Sequence, residues 1–178
     1  MTPSDINYNY LMLHTWRTLY PIAREAVLRP FGLSESDMAI VAAADEMTVR
    51  RWASAPTALV QPRRGLLSAL QANKRPLILA YIAQGRSPLS NPKLALLPQA
   101  ANAQLLFLWQ RALGDPQLAR YYELDEDYRL ALARAEASTL ARWSRLPVAL
   151  AIPKKGLLPA LRKNDPRHLL PFLHDIPA

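Results

Sequence analysis

A twenty-residue segment of this chain recurs 91 positions downstream, and that internal repeat limits what the chain can fold into. Arg51 to Leu70 returns as Arg142 to Leu161 without a gap, and eleven of the twenty positions are identical. The basic pair Arg63-Arg64 returns as Lys154-Lys155, with its charge kept. The register extends upstream, where Leu33, Glu35, Ala42, Ala44 and Thr48 meet Leu124, Glu126, Ala133, Ala135 and Thr139. A unit this long, present twice, predicts two copies of one helical module and not the short, numerous units of a solenoid. The expectation is a covalent pseudo-dimer within one polypeptide.

One copy of roughly 85 residues would bury only about 60–65% of its unfolded surface. The two copies are therefore expected to share a core, and a hydrophobic content of 51% supplies one. The absence of cysteine excludes disulfides, thiolate catalysis and cysteine-ligated metal. Met1 to Asp5 carries neither a basic flank nor an apolar core, so no signal peptide is read there. No apolar run approaches the ~18–20 residues that cross a bilayer. These features predict a cytoplasmic protein with no membrane insertion.

Sixteen prolines cut the chain into short elements. Ile6, Tyr10, Leu13, Trp16 and Leu19-Tyr20 recur at helical spacing between Asp5 and Leu28, with Pro21 placed to open a second helix or kink the first. Phe31-Gly32 stops a helix, and Ser34 with Asp37 starts the next, to Ala44. Another helix runs from Glu46 to Ser54. Ala58 to Gln61 reads as extended, closed by Pro62, and short helices follow over Leu66–Gln71 and Leu77–Gln84. The second copy gives a helix over 101–113, a helix capped by Asp125-Glu126-Asp127 and running to about Arg134, one over 138–145, an extended piece over 149–152, and closing helices over 157–161 and 166–173. The fold class is mainly α: a tandem pseudo-twofold repeat of short-helix modules with at most one short strand each. The modules span 1–85 and 98–178, and the linker is 86–97, where turn formers are dense. The two extended pieces either pair across the pseudo-twofold axis or serve as connectors.

Asp5-Ile6-Asn7 followed by Tyr10-Leu11-Met12-Leu13 resembles the opening of FlhD, the flagellar transcriptional activator subunit. The turn at Phe31-Gly32-Leu33, the acidic cap, the alanine-rich helix and the apolar run ending at Arg63 fit the same pattern. Asn102 to Leu108 is similar to that opening at an offset of 94, which places a three-residue length difference before the second cap. The resemblance implies two FlhD modules fused in tandem, a protein partner of the FlhC kind, and DNA contact through that complex. Arg51-Trp52 and Pro56, with Arg142-Trp143 and Pro147, depart from the family's pattern.

Net charge is +8, which favours polyanions or acidic protein surfaces as partners. The candidate DNA- or partner-binding residues are Arg50, Arg51, Arg63, Arg64, Arg142, Lys154 and Lys155. Arg63-Arg64 and Lys154-Lys155 follow the extended pieces, where they either flank a shared axis as two phosphate-binding clusters or stand as solvated charge at loop ends. Lys74-Arg75 and Arg162-Lys163 repeat the pattern. A helix-turn-helix over 35–54 would present Thr48, Arg50, Arg51 and Ser54, but alanine-rich helix pairs read first as packing units. Trp16, Trp52, Trp109 and Trp143 likewise read as core. His168 and His174, with Asp165 and Asp175, do not form a convincing ligand set. No catalytic, metal or cofactor site is predicted. The two functional expectations are a non-enzymatic FlhD-like regulator and, alternatively, a scaffold or adaptor subunit of a bacterial secretion or envelope assembly that never touches DNA.

Overall fold

The computed structural model describes residues 3–85 and 96–173, with side chains from Tyr8 onward. The opening apolar recurrence becomes α1 (Pro3–Leu19), which buries Met12, Leu13 and Trp16 on one face. Pro21 neither opens nor kinks a helix. It lies in the turn before α2 (Arg24–Phe31). Gly32 closes α2 at φ 65°, and Leu33 N–H returns to Leu28 C=O, the Schellman geometry that satisfies the last carbonyls. Ser34 Oγ then accepts from Asp37 N–H and starts α3 (Glu35–Ala43), and Asp45 caps α4 (Glu46–Ala53) by accepting from Thr48 N–H. Strand β1 (Val60–Pro62), α5 (Leu66–Gln71) and α6 (Arg75–Gly85) complete the first copy.

The second copy carries the same order: α7 (Leu96–Ala112), α8 (Pro116–Tyr121), α9 (Glu126–Arg134), α10 (Ala137–Ser144), β2 (Ala151–Pro153), α11 (Leu157–Lys163) and a 3₁₀ helix (Pro166–Phe172) where the first has α6. The fold is mainly helical with one two-stranded sheet among the described residues. The strands start two residues later than the expected 58–61 and 149–152 and include Pro62 and Pro153, and two helices also differ from expectation. Helix α7 begins at Leu96, inside the expected 86–97 linker, whose residues 86–95 lie outside the described residues. Helix α8 was not expected; Asp115 caps it through Gln117 N–H and Leu118 N–H, with Pro116 at its first turn.

All six residues with positive φ among the described residues fall into three pairs spaced by 91: Gly32 and Glu123, Gly65 and Gly156, Asn73 and Asn164. In the N-terminal helices the spacing is 93, not 94. Trp16 and Trp109 are both fully buried, and Asn9 and Asn102 are both buried polar side chains. At 94, buried Leu13 would instead meet Phe107, which is 61% exposed, so the length difference before the cap is two residues. The two asparagines do the same work. Asn9 Oδ1 accepts from Leu59 N–H at 3.0 Å, and Asn102 Oδ1 accepts from Leu150 N–H at 2.7 Å. Their Nδ2 groups donate to the carbonyls of Thr57 and Val148. Each helix thereby fixes the segment that leads into its strand.

The strands pair antiparallel, Gln61 against Ile152, Val60 against Pro153 and Pro62 against Ala151. With a 91-residue offset, Gln61 meets its own counterpart and the flanking pairs exchange places. The backbone bonds around the sheet come in the same swapped form. Arg63 N–H donates to Leu150 C=O and Lys154 N–H to Leu59 C=O, while Ala149 N–H donates to Pro30 C=O and Ala58 N–H to Tyr121 C=O. Such reciprocity is what a self-complementary twofold contact requires. Each copy caps one strand edge of the other, so two edges that would otherwise invite aggregation are consumed internally. One continuous apolar cluster takes residues from both copies, including Trp16, Phe31, Trp52, Trp109, Tyr122 and Trp143.

Candidate interaction surface

Arg63 and Lys154, expected on the outside either as phosphate-binding cations or as solvated charge at loop ends, are turned inward. Arg63 Nε donates to Ala149 C=O at 2.7 Å and its Nη2 to Pro30 C=O at 3.0 Å. Lys154 is 3% exposed, and its Nζ donates to Thr57 Oγ1 at 2.5 Å and to Tyr121 C=O at 3.2 Å, with Glu123 Oε2 at 3.8 Å. Pro30 and Tyr121 stand at the C-terminal turns of α2 and α8, where carbonyls without an intrahelical partner and the helix dipole favour a cation. Each cation therefore joins a helix end of its own copy to the connecting segment of the other. Burial holds the Arg63 guanidinium below its ordinary pKa and pushes the Lys154 ammonium down to about 8, partly opposed by Glu123. Charge in the sequence pattern marked these two residues, but helix-end carbonyls use it.

The arginine-for-lysine exchange goes with a local difference between the two copies. A Cβ at Gly32 would stand 2.8 Å from Ile152 Cγ2, so the first copy has no side chain there and the forked guanidinium covers the carbonyls alone. The counterpart Glu123 adopts the same left-handed conformation and places its carboxylate near Lys154. The stretch after Arg63 is pinned by two phenols, with Tyr128 donating to Arg63 C=O and Tyr81 Oη to Arg64 C=O at 2.6 Å.

The remaining expected residues are on the surface. Arg64, Lys155, Arg51 and Arg142 are exposed. Arg50 is exposed but engaged: its Nε donates to Glu46 Oε1 at 3.1 Å and its guanidinium lies 5.4 Å from the Tyr10 ring centroid. Glu46 also takes Tyr10 Oη and Arg17 Nη2, both at 2.7 Å, and this cluster of donors holds its carboxyl below the usual carboxylate range. Helix α4 packs on α1 through Val49, Trp52 and Ala53, so the 35–54 helix pair is a packing unit on that face. Trp143 is buried in the equivalent place. His168 Nδ1 lies 3.7 Å from Asp165 Oδ2, whereas His174 and Asp175 lie outside the described residues.

Two surface features were not anticipated from the repeat. Helix α6 is apolar on every side, yet Gly85 is its only buried residue, and Leu77 and Leu79 are 49% and 62% exposed. Its run from Leu77 to Ala83 contains no charged residue and no polar stripe. A helix that is hydrophobic all round belongs in an interior, and that signal was available in the sequence. Beside it, α5 and α6 of the first copy and α9 and α10 of the second enclose a groove of about 560 Å³. Leu70, Ile78, Trp143 and Leu146 give it apolar walls, and Arg134 and Arg142 line it. Of the expected site residues only Arg142 lies in this groove.

Among the described residues no helix is long and apolar enough to cross a membrane. No protein-family model, curated protein or solved structure matches the chain.

Proposed function

We propose that this chain is a non-enzymatic, cytoplasmic regulatory protein, an FlhD-like module doubled within one polypeptide, that acts by binding a protein partner and reaches DNA through that complex. The observation that carries the reading is α6. Each strand gives one edge to the other, while the apolar run Leu77–Ala83 of α6 leaves Leu77 and Leu79 exposed. Contiguous exposed apolar surface of this kind marks contact with another macromolecule. The exposed cations Arg51, Arg64, Arg142 and Lys155, on a chain of net charge +8, supply the electrostatic contribution to DNA.

The test is crosslinking of the intact chain in its host, followed by duplex binding of the recovered complex over a series of salt concentrations. A transcription factor among the crosslinked proteins, with affinity falling steeply with salt, supports the reading. No saturable partner would end it. A second reading, the adaptor that never touches DNA, is favoured by one observation: Arg63 and Lys154 are spent on internal carbonyls. Salt-independent or absent duplex binding by a partner-loaded complex decides for the adaptor.

A further inference from the structure

We infer that the groove between α5–α6 and α9–α10 is the seat of an amphipathic helix with acidic flanks, supplied by a partner protein. The inference rests on the reading that the chain acts through a protein partner, and it specifies the surface and the chemistry of that partner. Three observations carry it.

The first is shape and lining. The walls are helices with no free strand edge between them, so a segment adding a β-strand finds no hydrogen-bonding partner there. A helix laid in a groove needs only apolar anchors at three- and four-residue spacing. Leu70, Ile78 and Leu146 offer such contacts, and the exposed Leu77 and Leu79 extend the apolar area along α6. A volume of about 560 Å³ is of the size that accepts several buried side chains.

The second is charge. Arg134 and Arg142 line the groove and neither makes an ion pair among the described residues, although Glu136 also lines it. Lys74 and Arg75, both exposed, follow Asn73 at the groove's other wall. Two arginines against one carboxylate in the lining, with Lys74 and Arg75 next to it in sequence, attract an acidic segment and repel a basic one. The net charge of +8 also opposes a second copy of this chain as the occupant.

The third is construction. One wall comes from each copy, so the groove exists only when the copies are packed together, and its equivalent in the other half cannot be the same. There the apolar α6 is replaced by a 3₁₀ helix carrying Pro166, Arg167, His168 and Pro171. A doubled module thus offers one helix-bordered seat of this composition, as a binder of a single partner segment needs.

The experiment uses the full chain and two synthetic peptides of about 14 residues, roughly four helical turns. Both carry leucines at helical spacing, one with glutamates on its flanks and the other with lysines at the same positions. Binding is followed by fluorescence anisotropy, with the Trp143 indole resonance as a local reporter. The acidic peptide should bind at least tenfold tighter than the basic one, and binding should shift the Trp143 signal. Arg134→Glu with Arg142→Glu should reverse the order of the peptides, while the circular dichroism spectrum stays unchanged because both side chains are exposed. Equal binding of the two peptides, no binding of the acidic one, or an order unmoved by the double substitution would overturn the inference. So would a concentration-dependent dimer that the double substitution abolishes, since a second copy would then fill the groove. If the peptide order fails while a host protein still crosslinks to the intact chain, the groove assignment falls and the partner reading stands. If nothing crosslinks, the partner reading falls, and the peptide order alone decides the chemistry of the groove.

Discussion

Replacing Asn102 by alanine should destabilise the protein by about 2–5 kcal/mol, and the sign itself is informative. Asn102 is 1% exposed on α7, with Oδ1 2.7 Å from Leu150 N and Nδ2 2.9 Å from Val148 O. Truncation strips both backbone groups of their partners in a site closed to water, at about 1–3 kcal/mol each. Intrinsic helix propensity works the other way, because alanine is better than asparagine in a helix by about 0.5–0.7 kcal/mol. If the side chain merely occupied a helix position, Asn102→Ala would stabilise. Asn9→Ala should behave alike, since Asn9 Oδ1 accepts from Leu59 N–H and Nδ2 donates to Tyr121 Oη at 2.8 Å. The assay is urea unfolding with the slope compared between variants, so that a moved midpoint reports stability and not a changed unfolded state. Gln104→Ala, exposed on the same helix, is the control and should shift stability by no more than about 0.5 kcal/mol. A loss below about 1 kcal/mol at both asparagines, or a gain at either, would refute the claim that these side chains fix the strand-leading segments.

Two neighbouring arginines should part company in the same assay: Arg63→Ala should cost about 2–4 kcal/mol through the two lost carbonyl contacts, and Arg64→Ala less than about 0.5. Gly32→Ala should destabilise by more than about 1 kcal/mol, since φ is 65° and the added Cβ meets Ile152; wild-type stability would remove that reason for the glycine. Lys154 has a folded pKa of about 8 against an ordinary 10.5, so between those values the unfolded chain holds the extra proton and rising pH favours the fold. From pH 8 to about 10 the wild type should gain stability relative to Lys154→Met, by at most about 1.4 kcal/mol per unit. The window closes near the ordinary lysine value of 10.5, above which neither state holds the proton. Parallel pH profiles for the two proteins would contradict the burial of a charged Lys154.

Much of the architecture was legible because capping chemistry is local. Ser34 and Gly32 act within a few residues of themselves, and the structure uses them as their sequence context predicts. Helix α8 was not foreseen even though Asp115-Pro116 is a cap followed by a first-turn proline; six residues are too few for a visible apolar period. Leucines at adjacent positions fit an offset of either 93 or 94 in the N-terminal helices, and only the burial of Trp16, Trp109 and the two asparagines separates them. The site was the least legible part. Arg63 and Arg64 look alike in a string of letters, and what divides them is a pair of carbonyls 33 and 86 residues away from Arg63. The groove could not be read at all, since its walls come from α5–α6 and α9–α10, and pairing of the copies alone brings them together. Helix α6 did announce itself, by lacking a polar face where a surface helix needs one.

The claim beneath all of this is that two equivalent halves of one polypeptide meet strand to strand. Nuclear Overhauser contacts in the isotopically labelled protein test it most directly. The account predicts cross-strand contacts joining Val60 to Pro153, Gln61 to Ile152 and Pro62 to Ala151, undiminished when labelled chains are diluted with unlabelled ones. Their absence, a shifted register, or contacts that appear only between different chains in a mixed sample would contradict it.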